Sequence, residues 1–438
     1  MAHATSIASA CTELLCILSG GCAPSVAPLF INLCWGWLLC LGRPTVTNLL
    51  RSAPEALERH WTCAHRFFSK THWSADELWR LLVCEVLDRL LPAQAVWLVA
   101  GDDTTTEKYG PKVAFAGKFR DAVRSSPGQD VFHRAHNWIL LCLLIPIPGR
   151  CARYLHLPVL ARLYKREADC APGTFRTRQE LLAEMVDLLQ SWVPHRRIRL
   201  VTDGQYPSED LVERQAGKRP YLSRLRSNAV LYALPPARQP HQRGATRKKG
   251  ARLPKLAALA AQARFERRYV RRYGKKQLVL LHSFVCLWYR VAKSRPVRVV
   301  IVRDPSGQEP DDYFFSTDVS LSPVQIVEHC AARWGIEELI REAKQSLGFG
   351  DVQSWSPRAV ERQAPLALVL HAVTQIAYLK AHHGLSAPAA KTPPPSFQRM
   401  LCALRVDKWQ QRISATLPPR QNIELFIRPL AAALATAS

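Results

Sequence analysis

Acidic residues follow apolar runs at two places in the chain, and a third acid lies in a sequence typical of a helix. Asp102 and Asp103 come after the first run, Asp203 after the second, and Glu337 is in the helical stretch. A buried carboxylate without a partner is costly, and a divalent cation can offset that cost. Oxygen ligands suit Mg²⁺ or Mn²⁺. Because two such ions can activate water and stabilise a leaving oxygen, these acids suggest metal-dependent phosphodiester cleavage.

Each of these acids also has an ordinary structural explanation. A single aspartate at a strand end is commonly a turn or helix cap. Around Glu337, residues 323–347 predict one long helix in which a thiol, an acid and three basic residues recur every three or four positions on one face. Such a face is often a solvated salt-bridge surface, and otherwise its basic residues can neutralise phosphate oxygens. The members of this face are Cys330, Arg333, Glu337, Arg341 and Lys344.

The elements that would position the acids alternate between strand and helix. Residues 96–100 are a short apolar run typical of a buried strand, residues 197–201 predict another strand, and residues 179–192 predict an amphipathic helix. Such alternation indicates an α/β layer whose chemistry lies where the strands end. Residues 278–290, 297–303 and 313–317 add a β-rich segment before the helix that carries Glu337.

The charge balance points to a polyanionic partner. The 438 residues include 60 Lys and Arg against 35 Asp and Glu, a formal net charge of +25. Nucleic acid is the first partner to consider, an anionic membrane surface the second, and a GC-rich genome is the alternative explanation of the excess. Residues 238–255 predict an exposed basic loop that includes Arg247, Lys248 and Lys249. Residues 264–276, basic with interleaved tyrosines, are interpreted either as a DNA grip or as an exposed helix face.

The cysteines and the apolar N-terminal stretch indicate the kind of cellular compartment in which the protein resides. Thirteen cysteines without a Cys-x-x-Cys pair indicate a reducing compartment, with neither disulfides nor a zinc site. Residues 14–42 carry no charge and are long enough to span a bilayer. Glycine and proline interrupt them, so we expect two buried helices and no membrane partner. A membrane-anchored basic protein is the alternative.

The chain resembles bacterial insertion-sequence transposases of the DDE type. Arg333, Glu337 and Lys344 fit the spacing of that family's tyrosine–arginine–glutamate–lysine signature, with Cys330 at the tyrosine position. Asp102-Asp103-Thr104 and Asp203-Gly204-Gln205-Tyr206 are similar to the family's first and second acidic motifs. Further similar segments are Lys108 to Gly110, His136 to Trp138, Arg224 to Asn228 and Ser316 to Asp318.

The resemblance implies an α/β fold with a ribonuclease-H-like mixed sheet, flanking helices, a β-rich insertion and an N-terminal helical domain. The expected domains are a helical, DNA-end-binding domain (1–92), the first part of the catalytic domain (93–225), a basic loop with the β-rich insertion (226–318), the catalytic helix with the rest of that domain (319–384), and a linker and tail (385–438).

The resemblance also implies an activity and its residues. The expected function is a transposase that cuts and joins element ends with two Mg²⁺ or Mn²⁺ ions held by Asp103, Asp203 and Glu337, with Asp102 as the alternative to Asp103. The expected partners are the terminal inverted repeats and target DNA, bound by a homodimer in a synaptic complex, in the bacterial cytoplasm and on the nucleoid. A non-cleaving DNA-binding protein derived from a transposase is the alternative. Expected DNA contacts are Arg333, Lys344, Arg341, Cys330, Arg224, Arg226, Arg247, Lys248 and Lys249.

Overall fold

A computed structural model describes residues 6–53, 60–121, 124–147, 154–238, 245–382 and 395–416, together with residues 429 and 433. Its first part is helical, as the sequence predicts. The helices are α1 (Ile7–Ser19), α2 (Ala27–Leu39), α3 (Val46–Ser52), α4 (Thr62–Ser69) and α5 (Ala75–Leu81), which continues through a π-helical stretch (Leu82–Leu87) into α6 (Asp88–Leu90).

The rest of the chain combines strands and helices. It comprises β1 (Trp97–Glu107), β2 (Gly117–Arg120), β3 (Phe132–Pro146), β4 (Tyr154–Tyr164), α7 (Arg178–Trp192), β5 (Ile198–Thr202), α8 (Glu209–Gln215) and β6 (Tyr221–Arg224). It continues with α9 (Leu256–Gln262), β7 (Glu266–Arg272), β8 (Lys275–Leu287), α10 (Tyr289–Ala292), β9 (Pro296–Arg303), β10 (Asp312–Ser316), α11 (Pro323–Ala332), α12 (Gly335–Leu347), α13 (Pro357–His382) and α14 (Phe397–Thr416).

Five strands form the centre of a mixed sheet in the order β4–β3–β1–β5–β6. Strand β3 runs antiparallel to both of its neighbours, whereas β5 and β6 run parallel to β1. This order and these directions are those of the ribonuclease-H-like fold, so the predicted fold class is confirmed. Leu141 and Leu143 of β3 and Leu200 of β5 are fully or almost fully buried, because helices cover both faces of the sheet.

The β-rich segment extends this same sheet. Strand β10 pairs with β6, and β9, β8 and β7 follow in turn, so the described strands form one ten-stranded sheet. Residues 266–287 form a hairpin and not the exposed helix considered above. Its turn residues, Tyr273 and Gly274, both have positive φ, as a two-residue hairpin turn requires, and most β7 side chains are exposed, with Val270 buried.

Helix α13 is the centre of the helical layer. It contacts α1, α4, α5, α12 and α14 as well as β4, so helices from both ends of the chain pack around it. By length and composition it is the one described helix that could cross a membrane, and 78% of its most apolar window is buried. The apolar stretch within residues 14–42 forms much of α1 and α2, whose apolar side chains are mostly buried, as expected. The cysteines that the structure describes are all free.

Candidate active site

Asp102 and Asp103 lie within a strand and not at its end, which corrects the sequence prediction. Strand β1 continues to Glu107 because the β-branched Thr104, Thr105 and Thr106 extend its pairing with β3. Successive side chains of a strand point to opposite faces, so the two carboxylates enter different environments. The sequence alone left both acids as candidates, and this alternation separates them.

Asp102 faces α12 and the residues that precede it. Its side chain is 16% exposed, and the Arg333 guanidinium donates a short hydrogen bond from Nη1 to Asp102 Oδ2. Burial raises the pKa of Asp102 to about 7, although the positive charge of Arg333 acts in the opposite direction. The site therefore disfavours negative charge here even beside Arg333, and a further cation would stabilise the ionised carboxylate.

Asp203 follows β5 directly, as the sequence predicts. The buried Ser223 hydroxyl donates to the carbonyl oxygens of Thr202 and Asp203, at 3.0 and 2.9 Å, which fixes the backbone at this point. Its charge is near enough to affect the pKa of both Asp102 and Arg333. Across the described residues, no hydrogen-bond donor is found for the Asp203 carboxylate, which leaves its oxygens available.

Glu337 lies in the first turn of α12, directly after a break in the helix predicted over residues 323–347. The single long helix is wrong: α11 ends at Ala332, and Arg333 and Trp334 form a tight turn before α12 begins. The first residue of α12, Gly335, lies so close to the His156 ring that a Cβ there would overlap it. The turn places Arg333 so that Nη2 donates to Glu337 Oε1 at 3.2 Å while Nη1 holds the first carboxylate.

Lys344 anchors α12 to β1 about two helical turns beyond Glu337. Its ammonium group donates to Thr104 Oγ1 at 2.8 Å and to the Thr105 carbonyl at 2.9 Å. Burial lowers the pKa of this lysine. Lys344 therefore fixes the spacing between the strand that carries Asp102 and the helix that carries Glu337.

Asp103 points to the opposite face of β1, towards α7. Its carboxylate accepts hydrogen bonds from Asn137 Nδ2 at 3.0 Å, Arg178 Nη1 at 3.1 Å and Tyr206 Oη at 3.0 Å. Burial, followed by the charges of Asp103 and the preceding aspartate, raises the pKa of Tyr206 well above its usual value, so the phenol stays a donor. These three partners satisfy Asp103 within the protein, whereas Asp203 has no such donor among the described residues.

The expected DNA contacts divide into residues near the acids and residues far from them. Arg226 donates to the Gly204 carbonyl at 3.0 Å, beside Asp203, and Arg333 lies among the acids. Lys344 contacts Thr104 and Thr105 of the strand that carries Asp102. Cys330 is buried, with a pKa that burial raises to about 12 and that the nearby charge of Arg333 lowers in part. Arg341 is separated from this group, since it lines a cavity of about 540 Å³ on another side of α12.

The remaining expected DNA contacts lie on the surface. Arg224 pairs with Asp312 at 2.6 Å. Lys249 lies over the rings of Tyr232 and Tyr289, at 4.3 and 4.8 Å from their centroids. Arg247 and Lys248 are exposed. The loop that carries them falls partly outside the described residues, at positions 239–244.

Sequence reasoning missed a second cluster with metal-binding side chains. Glu107, Asp121 and His133 are the one described set of three such residues whose ligand atoms all lie within 4.8 Å of one another. Arg124 pairs with Glu107 at 2.9 Å and with Asp121 at 3.6 Å. The carboxylate oxygens of Asp102, Asp203 and Glu337 do not all lie within that distance of one another, and the Arg333 guanidinium lies between Asp102 and Glu337. The cluster unites residues from β1, β3 and the end of β2, and no sequence motif marks it.

Comparison with known proteins bears on the family. Residues 30–278, more than half of the chain, match the family model of the DDE superfamily endonuclease, and residues 287–387 match that of the archaeal putative transposase ISC1217. Among curated proteins, none matches the chain. A solved structure of the piggyBac transposase synaptic complex with hairpin DNA is 11% identical, with a TM-score of 0.38, over 98% of this chain and 82% of that one. So distant a likeness transfers neither site nor partners. The match over residues 30–278 is sufficient by itself: the chain belongs to the DDE superfamily of endonucleases.

Proposed function

We propose that the protein is a DNA transposase that cuts and joins the ends of its own mobile element. The observation that carries the proposal is the convergence of Asp102, Asp203 and Glu337 on Arg333, in a chain of the DDE endonuclease superfamily. Asp102 replaces Asp103 as the favoured first ligand, because the carboxylate of Asp103 already has three protein donors. The bacterial origin and the tyrosine–arginine–glutamate–lysine group remain part of the proposal.

The donor set fits Mg²⁺ or Mn²⁺. It consists of carboxylate oxygens. Burial disfavours the ionisation of Asp102, and the Asp203 carboxylate has no hydrogen-bond donor among the described residues. When bound, two such ions would activate water and stabilise the leaving oxygen of a phosphodiester. Asp102, Asp203 and Glu337 would hold them.

The basic residues around the acids would orient the DNA. Arg226, beside Asp203, and Arg178, beside Asp103, are exposed enough to reach phosphate oxygens. The hairpin of β7 and β8 adds a basic surface with exposed tyrosines at positions 269 and 273. We propose that the helices within residues 1–92 bind the element ends, and that a homodimer brings two ends together on the bacterial nucleoid.

The decisive experiment is cleavage of DNA that carries the element's terminal repeats, with Mg²⁺ and then with EDTA. We expect nicking at the repeat ends with Mg²⁺ and none with EDTA. Glu337→Gln should abolish cutting and retain DNA binding in a mobility-shift assay, whereas Glu338→Gln, its neighbour on another side of α12, should cut normally. An intact protein that never nicks those ends contradicts the proposal.

The alternative is a DNA-binding protein of transposase origin that does not cut. It predicts binding to the same repeats without any metal-dependent product. The presence of all three carboxylates around one arginine favours the cutting enzyme, because a protein that only binds DNA gains nothing from a cluster of acids that repels phosphate.

A further inference from the structure

Arg333 lies at the centre of the proposed metal site. Its two terminal nitrogens hold Asp102 and Glu337, and the charge of Asp203 also acts on it. The side chain is only 14% exposed. A guanidinium in this place forms hydrogen bonds with the same oxygens that a divalent ion would need.

The Arg333 guanidinium and a divalent ion exclude each other from this place, because both carry positive charge. A divalent ion bound by Asp102 and Glu337 would lie within a few ångströms of the guanidinium, and like charges so close in a partly buried site repel strongly. Asp102 Oδ2 and Glu337 Oε1 are each engaged by Arg333. Metal binding through these two oxygens therefore requires the guanidinium to leave its place.

The side chain can leave more easily than the backbone. In the turn between α11 and α12, Gly335 lies against the His156 ring so closely that a Cβ at this position would overlap the ring. Rotation of the long Arg333 side chain costs only rotamer changes and the two ion pairs. A phosphodiester is a suitable new partner, because guanidinium groups bind phosphate oxygens with two parallel hydrogen bonds.

We infer that Arg333 blocks the metal site of the DNA-free protein and that DNA phosphate, by drawing Arg333 away, couples DNA binding to metal binding. This inference rests on the proposed function. By linkage, DNA raises the affinity for the divalent ion by the same factor as the ion raises the affinity for DNA. The nuclease site is thereby kept from loading metal until DNA is present.

The test is Mn²⁺ titration of the full-length, DNA-free protein by calorimetry. Arg333→Gln should bind Mn²⁺ at least about tenfold more tightly than wild type, because the competing charge is gone. Arg333→Lys should bind it more tightly than wild type by a smaller factor, since a point charge cannot hold both carboxylates. Arg341→Gln, on the same helix but outside the cluster, is the matched control and should leave the affinity unchanged.

A second titration adds a DNA duplex of random sequence. The gain in Mn²⁺ affinity that the duplex produces should be smaller in Arg333→Gln than in wild type. Adding Asp102→Asn to Arg333→Gln should remove the gained affinity, which assigns the ion to this site and not to Glu107, Asp121 and His133.

The inference is overturned if folded Arg333→Gln and Arg333→Lys bind Mn²⁺ no more tightly than wild type, with folding checked by circular dichroism. That result leaves the proposed function intact if wild type still cuts repeat ends with Mg²⁺. Absence of both cutting and Mn²⁺ binding in every variant contradicts the proposed function itself.

Discussion

The two faces of β1 treat adjacent carboxylates in different ways. On one face, Asp102 has a single cationic partner, Arg333, and burial raises its pKa to about 7. On the other, Asp103 accepts hydrogen bonds from an asparagine, an arginine and a tyrosine. A carboxylate with several fixed donors is a structural element, whereas one with an unmet need for positive charge suits a metal ion. On the proposed function, the contrast gives different roles to residues of the same type that are adjacent in sequence.

The largest expected effect is on cleavage. Asp102→Asn should lower the rate of Mg²⁺-dependent cutting by at least about a thousandfold, since a lost metal ligand removes about 4 kcal/mol of transition-state stabilisation. Asp103→Asn should lower it by about tenfold or less. Single-turnover cleavage of repeat-end DNA measures both. The reverse order of the two variants would make Asp103 the ligand.

The second expected effect is on stability in the absence of divalent ions. The folded pKa of Asp102, about 7, lies above its unfolded value, so the folded state binds an extra proton between about pH 4 and pH 7. The wild-type free energy of unfolding should therefore fall as pH rises through this range, by up to about 4 kcal/mol. Urea unfolding of Asp102→Asn should show a smaller fall. Equal pH profiles for the two proteins would contradict the raised pKa.

A buried lysine just beyond the end of β1 should show the opposite pH dependence. Burial lowers the pKa of Lys108 to about 7, and its ammonium group donates to the Gly350 carbonyl. Below pH 7 the folded state must keep this buried ammonium group charged, which lowers the free energy of unfolding. As pH rises from about 7 to 10, the folded lysine loses its proton before the unfolded one, so the wild-type free energy of unfolding increases. Lys108→Met should be more stable than wild type by about 2 kcal/mol at about pH 6, and the difference should shrink by about pH 10. Urea unfolding at both pH values measures it, and an unchanging difference would contradict this account.

The smallest expected effect concerns Asp103. Asp103→Asn weakens the charge-assisted bond from Arg178 and should lower the free energy of unfolding by about 1 kcal/mol near neutral pH. Arg178→Gln should have a similar effect, and the double variant should lose less than the sum of both. Thermal or urea unfolding of the three variants completes this cycle, and additive losses would show that the pair does not interact.

Much of the fold was predictable from local pattern. The apolar runs before Asp102 and Asp203 predicted buried strands, and residues 179–192 predicted α7, because periodicity is a property of the chain itself. The sequence predicted a strand over residues 96–100, whereas in the structure β1 pairs with β3 as far as Glu107. The helix over residues 323–347 was predicted whole, whereas the structure interrupts it at Arg333 and Trp334, next to the close approach of Gly335 to His156, a residue far away in sequence.

The sequence by itself determined the acids, the basic excess and the helical spacing of Arg333, Glu337 and Lys344. Only the tertiary structure decided that Asp102 and not Asp103 faces Glu337, that Arg341 lies outside the cluster, and that Arg333 occupies its centre. The physical reason is that spacing fixes a residue's direction along one element, whereas burial, charge pairing and desolvation depend on what the neighbouring elements bring to the same place.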